Sequence, residues 1–447
     1  MILPQRRSRL LTPLFIKKLS PRELRHYKIG AYLSYIPAYL YIVNIFSDNP
    51  SHLILAALAA VALTEWNLAH FDFQNNFKEK KLEDILLLLS VLAQLLAIGL
   101  WGLPEELAIL QLLGLHITFI YYVLSRNNLL IQGRFGVLSF IDAFRGFWTI
   151  PFGHFRFRSR MRKIKMATED TKPTIDPGVL VTVLVSLIVA SILGSFAISQ
   201  LQVVSENFKD VTQGIAHFLG SLFSNLTWLD YLCDLFIYGP LSLPLGAYLY
   251  GLIIAPVIHQ KASKADYASI QGKLSNYRVL PYYSTYIIIG SLCLIYSLFL
   301  VTSIFDLQSL LQLNHISPQD ASSTAVAGFW QLVRIALLNF TILALCYFFS
   351  SVFIWDKKIG KIFLTLLFAY TLAFALLAAW KLFGIYINLY GLTPLRLISG
   401  WFITVLIFWT CLTLARLCKS FDSVRLAIFY TLISFSCLPY LFGIFIN

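Results

Sequence analysis

A chain of 447 residues with 58% hydrophobic and only 13% charged side chains carries more apolar surface than a water-soluble fold can hide, since soluble domains average roughly 25% charged. The net charge of +13 raises nucleic acid as a partner, but the basic residues lie between apolar runs and make no continuous face, so no nucleic-acid partner is expected. The six cysteines fall in or beside apolar runs without CxxC or Cys/His spacing, so they read as small buried hydrophobes, and neither a metal nor a cofactor is expected.

Taken in chain order, residues 1–28 form a basic segment whose one short apolar stretch, 10–16, is interrupted by Pro13 and makes a poor signal peptide. Four apolar runs follow at 29–46, 51–69, 85–101 and 107–124, each close to the roughly 20 helical residues that cross a bilayer. Residues 126–178 are a basic loop. Seven more runs occupy 179–198, 231–257, 282–302, 327–350, 362–380, 397–415 and 424–445. The expected fold is therefore an all-α, polytopic transmembrane bundle of about 11 spans, divided into a basic segment 1–28, a four-helix part 29–125, the loop 126–178 and a seven-helix part 179–447.

The positive-inside rule tests this count independently. With the amino terminus in the cytoplasm, 31 of the 35 Lys and Arg fall on the inner side, and only Lys209, Arg334, Lys381 and Arg396 fall outside. An odd number of spans then places the carboxyl terminus outside. The abundant Phe, Trp and Tyr near the ends of the runs suit the headgroup zone.

Within the long loop, 137–155 mixes Phe, Trp and Leu with Asp142 and Arg145 and runs into Arg156, Arg158, Arg160, Arg162, Lys163 and Lys165. This pattern suits an interfacial helix followed by a polybasic strip at anionic headgroups, although a simple topology signal is the commoner meaning of such a cluster. Residues 215–229 read as a second interfacial segment, on the outer side.

Ionisable groups inside lipid cost at least ~2.5 kcal/mol at mid-span, so each that persists invites a role. Glu65, with Asn67, His70 and Asp72 beyond it, suggests a cation or proton site or a polar helix end. Asp234 opens a span rich in proline and glycine, where Pro240 and Pro244 predict a bend or unwound turn between Gly239 and Gly246. Arg334 is expected to point into the bundle, and Asp234 matches it in depth. Before the tenth span, Gly391 permits a turn, Thr393 suits a cap and Pro394 suits the first helical position, which leaves Arg396 unexplained on the outer side. Asp234, Arg334, Arg396 and Glu65 are thus the candidate ligand contacts, and no catalytic residue is assigned.

The segments GFWQLVRIALLN, from Gly328, and YINLYGLTPLRL, from Tyr386, resemble a bacterial multi-pass membrane family classed as a domain of unknown function. The resemblance is strongest from the sixth span onward. It implies a bacterial cytoplasmic membrane and no established reaction, ligand or site residue.

No P-loop, HExxH or GxSxG occurs, so the common enzyme signatures give no support. A transporter or permease-like protein, or a membrane subunit of one, leads; a non-enzymatic membrane regulator or scaffold follows, and a lipid-modifying enzyme with His70 and His154 as candidates is third. The expected partners are membrane lipids, with anionic headgroups at the basic loop.

Overall fold

The computed structural model describes residues 20–47, 49–75, 82–163, 208–215, 227–258, 267–312 and 318–445, with isolated helical positions between 186 and 202. In chain order the helices are α1 (Pro21–Leu33), α2 (Tyr35–Ser47), α3 (Pro50–Asn75), α4 (Leu82–Trp101), α5 (Glu105–Arg126) and α6 (Ser139–Phe144). A π turn, Arg145–Thr149, leads into α7 (Ile150–Gly153) and α8 (Phe157–Lys163). Then come α9 (Thr227–Ile253), α10 (Ala255–Ile258), α11 (Tyr267–Ser275), α12 (Tyr282–Gln312), α13 (Pro318–Phe349) and α14 (Lys358–Ala379). A second π segment, Trp380–Ile387, precedes α15 (Asn388–Tyr390), α16 (Pro394–Cys418) and α17 (Ser423–Phe445). No strand occurs among the described residues.

Among the described residues, ten helical stretches are long and apolar enough to cross a bilayer, which marks a membrane-embedded protein. They correspond to ten of the eleven expected runs. The eleventh, 179–198, and most of the outer segment 215–229 lie outside the described residues.

Local sequence explains several boundaries. The Ser20 hydroxyl accepts from Glu23 N at 3.3 Å while Ser20 N donates to the Glu23 carboxylate at 2.8 Å, and Pro21 occupies the first helical position of α1. Gly391 adopts φ +74°, and α16 begins at Pro394 after an extended Thr393, as the sequence predicts, although the Thr393 side chain makes no cap bond.

Two compact units divide the chain: residues 1–78 with 145–260, and 79–144 with 261–447. In the first, α2 packs on α3 and α9, while α7 and α8 pack on α9 and α8 on α1. Gly251 permits the α7 approach, because a Cβ there would meet the Pro151 carbonyl at 2.5 Å.

In the second unit, α14 lies among α12, α13 and α16, around a core that includes Leu364, Leu367, Phe368 and Phe374. Polar groups inside this core satisfy one another: Tyr296 OH donates to Asn339 Oδ1 (2.8 Å), Asn339 Nδ2 to Thr371 Oγ1 (2.9 Å), and Thr371 Oγ1 to Leu367 O (2.8 Å). A bridge of two backbone bonds, Leu280 N to Phe349 O (3.0 Å) and Ser351 N to Leu280 O (2.8 Å), ties the start of α12 to the end of α13.

Two expectations need correction here. No unwound turn lies between Gly239 and Gly246, since α9 runs as helix through Pro240 and Pro244 to Ile253. Side chains also bond carbonyls in this stretch, Ser242 Oγ donating to Gly239 O at 2.6 Å and Arg158 Nη1 to Leu243 O at 3.3 Å. The interruption falls instead at Ile254, two residues before Pro256. Of the cysteines, Cys293 and Cys346 are buried as expected, but Cys411, Cys418 and Cys437 are exposed on their helices. Thiols tolerate a lipid-facing position as readily as a packed one.

Candidate anion-facing basic site

In the first unit the basic loop folds back as a helical ledge. Trp148 and Phe152, four residues apart, are both about half exposed. The π turn Arg145–Thr149 contains Trp148 and leads into α7, which carries Phe152. Tyr248 OH donates to the Phe147 carbonyl in that turn at 3.0 Å. Trp148 stacks on Phe152, and Phe152 on Phe155.

The basic helix α8 follows directly. Phe157, Arg158 and Met161 are buried, while Arg156, Ser159 and Arg160 are exposed, so the polybasic strip is two-faced rather than uniformly solvated. Arg158, 4% exposed, is the member that turns inward. Its Nε donates to Ala31 O at 2.9 Å, among the last carbonyls of α1, where a helix presents partial negative charge. Its guanidinium lies 3.7 Å from the centroid of the Tyr35 ring and close to Gly246, where a Cβ would sit 3.4 Å from Cζ. Arg162, one turn on, lies 5.3 Å from the Tyr32 ring. Burial pushes the Arg158 pKa down, Tyr35 and Tyr250 oppose that, and the neighbouring Arg162 adds to it. His154 lies before α8; burial lowers its pKa, partly offset by its Nδ1 contact with Ile150 O at 2.8 Å.

Beside this ledge, the end of the broken span is satisfied internally. Val257 N bonds Ile254 O rather than Ile253 O, and Asn67 Nδ2 donates to Ile253 O at 3.4 Å. Asn67 Oδ1 lies 3.3 Å from His26 Nε2, whose ring stacks on Trp66 at 4.0 Å. Gly30 makes room for Ile254, whose Cδ1 would be 2.6 Å from a Cβ there.

The second unit holds a polar cluster on α4, α5 and α17 and the segment between α5 and α6. Glu83, 3% exposed in its side chain, pairs with Arg425 at 2.7 Å; Ser125 Oγ donates to Asp84 at 2.5 Å; Ile131 N donates to both Asp142 oxygens at 3.2 Å. Arg134 and Asp422 form a more exposed pair at 2.7 Å. Sequence reading missed this cluster, because its members sit at the ends of runs where charge is unremarkable.

The candidate ligand contacts meet different fates. Arg334 is exposed on α13, with no hydrogen bond or ion pair among the described residues, which corrects its expected inward orientation. A long side chain near a span end extends toward water instead of needing a buried acid. Arg396 donates to the Tyr390 and Gly391 carbonyls at 2.8 and 2.6 Å and lies over the Tyr386 ring at 4.3 Å, closing the end of α15. Glu65 is half-buried on α3. The side chains of Asp234, His70 and Asp72 lie outside the described residues. Among the described residues, no group of three or more His, Cys, Asp or Glu is placed to hold a metal.

No curated protein and no solved structure matches the chain. A family model does, over residues 53–441, a wider stretch than the carboxyl-terminal half to which the GFWQL and YGLTPLRL segments point. The chain therefore belongs to the family described as Domain of unknown function (DUF4153).

Proposed function

We propose that this protein is a non-enzymatic membrane regulator or scaffold that holds anionic lipid headgroups along its basic face. The observation that carries this reading is the exposed aromatic pair Trp148 and Phe152, followed at once by Arg156 and by α8 with Arg160 exposed. Aromatic rings enter the headgroup boundary, and each nearby Lys or Arg adds about 1 kcal/mol of attraction to an acidic leaflet. The positive-inside count puts this face in the cytoplasm, with the amino terminus inside and the carboxyl terminus outside. The family resemblance favours a bacterial cytoplasmic membrane.

Spin-labelled lipids in bilayers containing the full chain test the reading. Phosphatidylglycerol should associate several-fold more strongly than phosphatidylcholine, and Arg156→Gln with Arg160→Gln should bring the ratio toward one. An unchanged ratio would remove the proposal.

A transporter-like activity is the second reading, favoured by the interruption at Ile254 within a span, because broken helices in transporters expose groups that hold substrate. Glu65, Asp234, Arg334 and Arg396 are its candidate ligand contacts. Solute flux into vesicles containing the full chain, lost on Asn67→Ala, would favour it over scaffolding.

A further inference from the structure

We propose that Arg158 and Arg162, facing Tyr35 and Tyr32, form a discrete site for one phosphate group of an acidic phospholipid; this rests on the anionic-lipid reading above and assigns it a specific binding position. Three observations converge. First, Arg158 is 4% exposed, and its Nη2 atom is buried without an acceptor among the described residues. A buried donor of a charged group left unused is costly, and native structures rarely keep one without a reason.

Second, the charge has no counterion among the described residues. The electrostatic neighbours of Arg158 are Tyr35, Tyr250 and the cation Arg162, with no carboxylate among them. Buried guanidinium groups normally pair with an acid, and a vacant pairing position suits a ligand that brings its own negative charge. The polar cluster of the second unit shows the contrast, since Arg425 has Glu83.

Third, Arg158 and Arg162 stand one turn apart on the same helix, a like-charge spacing that destabilises a helix by itself. Each lies over a tyrosine of the α1–α2 corner, at 3.7 Å for Arg158 on Tyr35 and 5.3 Å for Arg162 on Tyr32. Arg158 spends Nε on Ala31 O and Nη1 on Leu243 O and bonds the Tyr35 side chain, so its Nη2, with the Arg162 guanidinium one turn on, is what remains for an oxygen acceptor. A tetrahedral phosphate between Arg158 Nη2 and the Arg162 guanidinium would turn repulsion into charge-assisted contacts and give Nη2 its acceptor. Neighbouring Phe152 and Trp148, exposed on the ledge, offer an apolar surface along which an acyl chain can lie.

The test uses the full chain, purified in detergent and stripped of lipid. Dioctanoyl phosphatidylglycerol should raise the thermal midpoint in a saturable way, with dioctanoyl phosphatidylcholine and inorganic phosphate as comparison probes. Arg162→Gln and Arg158→Lys should each raise the half-saturating concentration about tenfold, the second because lysine keeps the charge and loses the fork. Arg156→Gln with Arg160→Gln should leave saturation unchanged while lowering the bilayer-wide lipid preference, so the two proposals fail separately. If Arg158→Gln does not fold, Arg162→Gln and Tyr35→Phe, which keeps the ring, still decide the matter. Unaltered saturation in both Arg162→Gln and Arg158→Lys would overturn the site and leave Arg158 as a pin for α1. An equal response to inorganic phosphate at the same concentration would overturn the lipid as its source.

Discussion

Arg425 and Glu83 meet at 2.7 Å, joining the first turn of α17 to the first turn of α4, with the carboxylate almost wholly withdrawn from solvent. Removing one partner of such a pair strands a buried charge. Arg425→Ala should therefore cost on the order of 3 kcal/mol in detergent unfolding, and adding Glu83→Gln should recover a good part of it. A double variant no more stable than Arg425→Ala would show that the pair itself, rather than the stranded charge, sets the loss.

Gly251 and Gly239 sit on the same helix and should answer oppositely to alanine. At Gly251 a Cβ meets the Pro151 carbonyl at 2.5 Å, a backbone atom that cannot step aside, so Gly251→Ala should destabilise by roughly 1–3 kcal/mol. At Gly239 nothing lies within 4 Å, and alanine should be neutral or stabilise by about 0.5–1 kcal/mol. Thermal midpoints of both variants in one detergent check the contrast.

His154 makes stability depend on pH in a stated direction. Its folded pKa lies below the ordinary histidine value of about 6.5, so the unfolded chain binds the proton more readily. The contribution is complete above pH ~6.5 and is lost as pH falls toward the folded value. Midpoints measured across that window should fall less steeply for His154→Gln than for the parent chain. Parallel curves would show that the ring titrates freely.

Arg396 and Arg334 should separate clearly. Arg396→Ala removes donors from the Tyr390 and Gly391 carbonyls and should cost about 1–2 kcal/mol, whereas Arg334→Gln, exposed as it is, should shift stability by no more than about 0.5 kcal/mol. Unfolding of the two variants side by side decides it.

For orientation, reporters fused after Lys165 and Lys273 should be cytoplasmic, and one between residues 306 and 320 external. A cytoplasmic reporter in the 306–320 loop would reverse the assignment for the second half of the chain.

The spans were legible because run length and charge alternation are one-dimensional signals. Pro394 after Gly391 and Thr393 was legible for the same reason: cap and turn chemistry is local. The inward turn of Arg158 was not, since six basic residues within ten positions look alike until one notices that Arg158 shares a face with Phe157 and Met161. Asn67 serving Ile253 O, and Glu83 finding Arg425, depend on pairings across 186 and 342 residues, which no local pattern encodes. Pro240 and Pro244 misled about an unwound turn because the penalty for a missing amide is local, whereas the packing that keeps α9 helical through both is not.

The short bridge at Leu280 closes the open end of the α12–α13 hairpin like a clasp. A slide of one helix past the other by a single turn, roughly 5.4 Å, would have to break both of its backbone bonds at once. That hairpin therefore travels as one rigid strut, and any rearrangement of the second unit that leaves the clasp intact must carry α12 and α13 together.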